Sequence, residues 1–126
     1  MKKIMVFGTF DVLHKGHLNF FSQAKKHGDY LIAVVARDKT VKEVKGIFPR
    51  HNEKKRLVEV KKHVDKAVLG YIRDKYKVIS KFKPDIICLG YDQRSFINGL
   101  KRFKIPIKRL KAYMTHKYKS SKIKKQ

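Results

Sequence analysis

Short, uninterrupted apolar segments alternate along this chain with segments whose apolar residues recur at helical spacing. The apolar segments lie at 4–7, 30–36, 67–69, 85–89 and 105–110. Strands covered on both faces have continuous apolar sequences, and strands separated by helices pair in parallel through right-handed crossovers. The alternation therefore predicts an α/β fold, an open parallel sheet with helices on both faces.

Between these strands the spacing predicts helices near 16–27, 53–63, 72–82 and 94–103, and one or two helical turns from residue 120. The segment 37–50 is basic and interrupted by Gly46 and Pro49, so we predict no regular element there. A chain of 126 residues fits a single domain, 1–126.

The charge is strongly unbalanced, with 33 Lys and Arg against 10 Asp and Glu and a net charge of +23. Residues 93–126 carry 12 of the basic side chains and no acidic one. Such an excess indicates polyanionic partners: a nucleotide, a polyphosphate, nucleic acid or an acidic membrane surface.

Several protein classes are excluded by the same sequence. No apolar stretch approaches the roughly 18 residues of a membrane span, and the start of the chain lacks the apolar core of a signal peptide. We expect no membrane insertion and a cytoplasmic location. The single cysteine, Cys88, lies inside the fourth apolar segment, where a small buried hydrophobic residue is expected.

A glycine turn and two histidines follow the first predicted strand. The turn is Gly8-Thr9-Phe10-Asp11, and His14-Lys15-Gly16-His17 opens the next helix. Ligands of open parallel sheets bind at the carboxyl ends of the strands, and a helix N-terminus favours an anion. The two imidazoles are therefore predicted to hold a polyphosphate. A metal site and ordinary surface histidines are the alternatives; since no acid follows as in HExxH, we predict no metal ligands.

These residues resemble the HxGH signature of the cytidylyltransferase-like nucleotidyltransferases. Two branches are similar: the small glycerol-3-phosphate cytidylyltransferases and the archaeal-type FAD synthases. Ala36-Arg37-Asp38 and Leu89-Gly90-Tyr91-Asp92-Gln93 look more like the FAD synthases, whereas the compact length looks more like the other branch. The resemblance implies a Rossmann-like fold and in-line attack by an acceptor phosphate on the α-phosphorus of ATP or CTP. Pyrophosphate leaves, and Mg²⁺ accompanies the nucleotide.

The resemblance also implies the site residues. The catalytic residues are His14, His17 and Lys45, with Lys42 the second choice as the phosphate-contacting lysine. The nucleotide-binding residues are Gly8, Thr9, Phe10, Asp11, Gly16, Asp92, Gln93, Ser120 and Ser121. The residues expected to bind phosphate or acceptor are Arg37, Asp38, Lys42, Lys54, Lys55 and Arg56. The alternatives are a solvated basic face for the two helix lysines, a helix cap for Asp92 and a frayed tail around Ser120.

The chain departs from the family pattern in two places. Where relatives carry an arginine at the start of the helix predicted at 53–63, this chain has Lys54, with Lys55 and Arg56 adjacent. The Arg-Thr-Glu-Gly stretch of the cytidylyltransferase branch reads Met114-Thr115-His116-Lys117, without its arginine. The second departure weakens the glycerol phosphate interpretation.

Three hypotheses follow. The leading one is transfer of NMP from ATP or CTP to a phosphate monoester, with FMN ahead of glycerol 3-phosphate or another polyol or choline phosphate, by a homodimer as the resemblance implies. The second is a nucleic-acid-binding module, because aromatic residues interleave the acid-free segment. These aromatic residues are Phe96, Phe103, Tyr113 and Tyr118. The third is a degenerate family member that binds nucleotide without turnover.

Overall fold

The computed structural model describes residues 1–90, 93 and 97–111. Five parallel strands form one sheet in the order β3-β2-β1-β4-β5. The strands are β1 (Lys3–Gly8), β2 (Tyr30–Val35), β3 (Lys66–Leu69), β4 (Ile86–Leu89) and β5 (Ile107–Arg109). The helices are α1 (Lys15–Lys25), α2 (Asp38–Lys45), α3 (Glu53–Lys61), α4 (Lys77–Phe82) and α5 (Ile97–Leu100), followed by a 3₁₀ turn at Lys101–Phe103.

Both faces of the sheet are buried because successive side chains of a strand point to opposite sides. Along β1, Ile4 and Val6 enter one apolar core, and Met5 and Phe7 enter the other. The first core is completed by residues of α1 and α3, and the second by residues of α4 and α5. The predicted Rossmann-like α/β sheet with helices on both faces is confirmed.

The order of the strands places the switch point of the sheet beside β1. The crossover through α1 leads to β2 on one side of β1, and the crossover through α4 leads to β4 on the other. A crevice opens at the carboxyl ends of two neighbouring strands where the crossovers diverge in this way. The turn that begins at Gly8 therefore lies at the expected ligand-binding position.

One helix was not predicted, and two predicted elements differ clearly in extent. The segment 37–50 contains helix α2, where we predicted no regular element because the segment is basic and interrupted by Gly46 and Pro49; the helix is complete before Gly46, which forms its C-cap. The helix expected at 72–82 begins at Lys77, after a turn, and the last strand covers 107–109 rather than 105–110. Of the helix expected at 94–103, residues 97–103 are described and are helical.

Cys88 lies in β4 and is completely buried. Burial raises the pKa of its thiol to about 11, which keeps the thiol neutral. The expectation of a small buried hydrophobic residue is confirmed. Within the part of the chain that the structure describes, no helix combines the length and apolar character needed to cross a membrane.

Candidate active site

The ends of the three central strands are joined by hydrogen bonds. The Ala36 amide, just beyond β2, donates to the Gly8 carbonyl at 2.9 Å. The Gln93 side chain donates to the Phe7 carbonyl at 2.7 Å and accepts from the Gly90 amide at 2.7 Å, so it links the ends of β1 and β4. These bonds gather the loops that follow the strands around one position.

Phe10 anchors the turn after β1 in the core. The Phe10 side chain is buried, and its backbone adopts a positive φ of 52°, unusual for a residue with a side chain. Its ring centroid lies 5.1 Å from that of Phe21 and 6.0 Å from that of His17. A Cβ on Gly8 would come within 2.7 Å of the Phe10 ring, so glycine is needed at position 8.

The two histidines cap helix α1 reciprocally. Nδ1 of His14, the N-cap residue, accepts from the Gly16 amide at 2.9 Å, and Nδ1 of His17 accepts from the His14 amide at 3.2 Å. A ring nitrogen that accepts a hydrogen bond carries no proton, so in each neutral ring the proton is on Nε2. The ring centroids are 4.1 Å apart. The pair therefore offers two Nε2–H donors side by side at a helix N-terminus.

Gly16 is required by this arrangement. A Cβ at position 16 would lie 2.7 Å from Cε1 of His14. Any side chain there would displace the capping imidazole. The glycine of the His14–His17 motif is thus explained by the packing of the first histidine against the helix backbone.

His17 is neutral at neutral pH. Burial lowers the pKa of its imidazole to about 4, and the neighbouring His14 and the positive charge of Lys45 act in the same direction. The carboxylate of Asp11 opposes this shift without reversing it. His17 therefore meets a ligand as a neutral hydrogen-bond donor.

Asp11 holds the segment before α3 against the turn. Its carboxylate accepts from the amides of Arg50 at 2.6 Å and His51 at 2.9 Å. Burial raises the pKa of the Asp11 carboxyl, but the two backbone donors together with the positive charge of Arg56 and the neighbouring His51 lower the pKa overall. Asp11 is accordingly an anion that positions a loop.

Arg56 is the buried centre of this region, with only 1% of its side chain exposed. Its guanidinium donates to the carbonyls of His51 at 2.9 Å and Thr9 at 2.8 Å, and to the carboxylate of Asp38 at 2.7 Å. The fork geometry of arginine allows three acceptors from three segments to be bound at once. The structure thus places Arg56 and Asp38, both predicted to bind phosphate or acceptor, in a buried network beneath the turn.

Sequence reasoning did not identify Glu53 or His51, which complete the network. Glu53 accepts from the Arg37 side chain and the Asp38 amide, both at 2.9 Å, and its own amide donates to Asp38 at 3.1 Å. The starts of α2 and α3 therefore cap each other. The signal that was available is Asn52, whose side chain caps α3 just before this glutamate.

The four predicted lysines occupy different positions. Lys42 donates to the Gly46 carbonyl at 2.7 Å at the end of α2, whereas Lys45 lies near enough to His17 to lower its pKa. Lys54 and Lys55 are exposed in the first turn of α3. The structure therefore favours Lys45 over Lys42 as the lysine of the histidine site.

Three predicted site residues, Asp92, Ser120 and Ser121, lie outside the described residues. Gln93, which follows Asp92 in the chain, is described. The Arg109 side chain of β5 donates to the Gln93 carbonyl at 2.8 Å and to the Gly90 carbonyl at 2.7 Å. The arginine thereby joins Gly90, at the end of β4, to Gln93.

The described residues do not form a cluster that would hold a magnesium ion by protein side chains alone. Among the residues that the structure describes, no three histidine, cysteine or acidic side chains gather closely enough to hold a metal. The carboxylates of Asp11, Asp38 and Glu53 each accept hydrogen bonds from the protein. Mg²⁺ in protein sites usually combines one or two carboxylates with substrate phosphates.

A family model described as cytidylyltransferase-like matches residues 5–126. The chain is 52% identical over 94 residues to the FAD synthase of Ferroglobus placidus (strain DSM 10642 / AEDII12DO). That alignment covers 74% of this chain and 61% of the relative, so the chain spans less than two thirds of the relative's length.

Solved structures share the fold. A lipopolysaccharide core biosynthesis protein from Thermoplasma volcanium GSS1 superposes with a TM-score of 0.77 at 38% identity, covering 90% of this chain and 97% of that one. A pantoate-beta-alanine ligase from Francisella tularensis, complexed with beta-gamma ATP and beta-alanine, superposes with a TM-score of 0.56 at 20% identity. The second match covers 88% of this chain and 59% of the ligase and shows the fold alone.

Proposed function

The chain belongs to the cytidylyltransferase-like family, and from this premise we propose that it transfers AMP from ATP to FMN and releases pyrophosphate. The observation that carries the nucleotidyl transfer is the pair of Nε2–H donors at the start of α1. The similarity to an FAD synthase supports FMN as the acceptor.

The proposed reaction is an in-line displacement at the α-phosphorus. An oxygen of the FMN phosphate forms the new bond, and the bond from the α-phosphorus to the oxygen that bridges it to the β-phosphorus breaks. The electron pair of that bond leaves with pyrophosphate. Such a reaction needs reactants held in line and charge stabilised on the phosphoryl oxygens, and no covalent intermediate with the protein.

His14 and His17 would donate through Nε2 to oxygens of the α- and β-phosphates. Fixed donors stabilise charge that develops in the transition state without reorganisation. The first turn of α1 carries no acidic side chain, so the dipole of the helix also favours the anion. Lys45 would supply the positive charge beside the histidines.

Mg²⁺ is proposed as part of the substrate. Since the described carboxylates of the site are occupied by bonds within the protein, the ion would arrive bound to the triphosphate. We also propose that the protein works as a homodimer in the cytoplasm; sedimentation equilibrium tests the dimer.

Release of pyrophosphate tests the function. ATP and CTP are each combined with FMN, glycerol 3-phosphate and phosphocholine, and pyrophosphate is measured with a coupled assay. We expect turnover with ATP and FMN, accompanied by FAD in chromatography. Turnover only with CTP and glycerol 3-phosphate would show that the nucleotide is CTP in place of ATP and that the acceptor is glycerol 3-phosphate in place of FMN. If no combination released pyrophosphate and the protein bound RNA tightly, with an affinity that falls steeply as salt increases, the nucleic-acid-binding hypothesis would be favoured.

A further inference from the structure

Three apolar side chains at the end of α2 are unusually exposed. Val44 is 59% exposed, Ile47 69% and Phe48 61%. Exposed apolar residues that are contiguous, and not scattered singly, mark a binding surface. We call these three residues the apolar ridge.

The apolar ridge lies in the same stretch of chain as residues that interact with the histidine site. Lys45, whose charge affects His17, lies within the same stretch of chain. The two residues that follow Pro49, Arg50 and His51, are hydrogen-bonded to Asp11 of the turn after β1. The chain that follows the ridge is therefore hydrogen-bonded to a turn residue predicted to bind nucleotide.

The ridge is held in shape before any ligand arrives. Gly46 ends α2 with a φ of 84°, and its carbonyl accepts from the Lys42 ammonium at 2.7 Å. The same ammonium lies 5.6 Å from the centroid of the Phe48 ring, within the range of a cation–π contact. A surface ordered in advance loses less conformational entropy on binding.

We propose that the apolar ridge holds the planar aromatic ring of the acceptor, with one face of the ring against Phe48 and its edge against Val44 and Ile47. This inference rests on the proposed function, in which FMN is the acceptor. An acceptor that joins a phosphate to a large aromatic ring matches a cationic site beside an apolar aromatic surface. Glycerol 3-phosphate and phosphocholine have no ring to cover this surface.

Replacement of Phe48 tests the ridge. Stacking of a base on an aromatic side chain contributes substantially to binding. Phe48→Ala should therefore raise the KM for FMN roughly 10-fold or more and leave the KM for ATP unchanged. Phe48→Trp keeps a stacking face and should restore the KM. Val58→Ala, at a side chain of similar exposure (55%) on α3, is the matched control and should leave both constants unchanged.

Riboflavin provides a readout that does not depend on turnover, because it has the ring of FMN without the phosphate. Its fluorescence should be quenched by the wild-type protein and much less by Phe48→Ala. If wild type converts FMN but Phe48→Ala keeps its KM, the ridge inference fails and the proposed function stands. If wild type neither converts FMN nor quenches riboflavin, both fail.

A second copy of the chain is the other candidate to cover the ridge. In that case sedimentation would show that Phe48→Ala dissociates a dimer, while the KM for FMN stayed unchanged. That result would overturn the inference. An unchanged assembly state with a raised KM for FMN would support it.

Discussion

At the scale of single residues, each histidine of the pair performs a structural and a chemical task. Nδ1 of each ring accepts a hydrogen bond from a backbone amide at the start of α1. This bond fixes the ring and leaves Nε2 as the donor. Capping by a histidine is uncommon beside capping by serine, threonine or asparagine. The imidazole differs from those side chains in having a second ring nitrogen that can donate a hydrogen bond.

Replacement of His17 should therefore abolish most of the activity. Removal of one fixed donor to the transition state costs roughly 10²–10³ in kcat, and we expect His17→Ala to lose this much in pyrophosphate release. His63→Ala, at an exposed histidine before β3, is the control and should retain wild-type turnover. A His17→Ala variant with most of its turnover would contradict the assignment.

The lowered pKa of His17 predicts a pH dependence of stability. The unfolded chain binds a proton at this histidine below about pH 6.5, whereas the folded protein does so only near pH 4. The free energy of unfolding should therefore fall as pH decreases from 6.5 to 4, by at most about 1.4 kcal/mol per pH unit from this group. Denaturation in urea across this range measures the slope.

The matched variant for this measurement is His17→Gln, which has no titrating group. Its slope between pH 6.5 and 4 should be shallower than that of wild type. Equal slopes would show that His17 does not carry the effect. The lowered pKa of Asp11 and Asp65 concerns the more acidic range below about pH 4, so it does not mimic the histidine.

At the scale of elements, the starts of α2 and α3 form one unit with the turn after β1. Asp38 and Glu53 cap each other's helices, and Arg56 binds Asp38 and the Thr9 carbonyl together. These contacts help to explain how a basic segment with little apolar character becomes a helix, since tertiary hydrogen bonds stabilise its start. They also hold the loop that carries the apolar ridge.

Loss of Arg56 should destabilise the whole unit. Removal of one partner of a buried ion pair costs about 3–5 kcal/mol, and Arg56→Ala should lie near the lower limit because Asp38 is 29% exposed. Urea denaturation measures the change. Lys61→Ala, at an exposed position of the same helix, should change the free energy of unfolding by no more than about 0.5 kcal/mol. A similarly small effect of Arg56→Ala would show that the network is not stabilising.

At the scale of the whole molecule, the net charge of +23 divides into parts with different tasks. Lys45 lies at the histidine site, Lys42 orders the end of α2, and Arg56 is structural. Most of the other basic residues carry no assigned role. Their mutual repulsion opposes the compact state.

Salt should accordingly stabilise the fold. Screening at high ionic strength weakens repulsion among like charges on the surface. Tm should therefore rise between roughly 20 mM and roughly 500 mM sodium chloride, a range over which the Debye length shortens from about 20 Å to a few Å. The rise should be about 4 °C for every kcal/mol that screening recovers. Differential scanning fluorimetry measures Tm. A Tm that falls with salt would indicate that favourable ion pairs outweigh the repulsion.

Pyrophosphate at matched ionic strength separates binding from screening. A ligand that binds only the folded protein raises Tm beyond the effect of salt. We expect this additional rise in wild type and its loss in His17→Ala. An equal rise in both proteins would place the bound anion elsewhere.

The order of strands and helices, the parallel sheet and the histidine pair after β1 follow from the sequence because they depend on local periodicity and on a short turn. The existence of α2, the tautomers of the two histidines and the exposure of Phe48 were decided by tertiary structure. Arg56 shows the reason: its acceptors lie 18 and 47 residues away along the chain, at Asp38 and Thr9. An arginine becomes a buried structural centre only when folding brings such distant acceptors together, and no local pattern in the sequence records that.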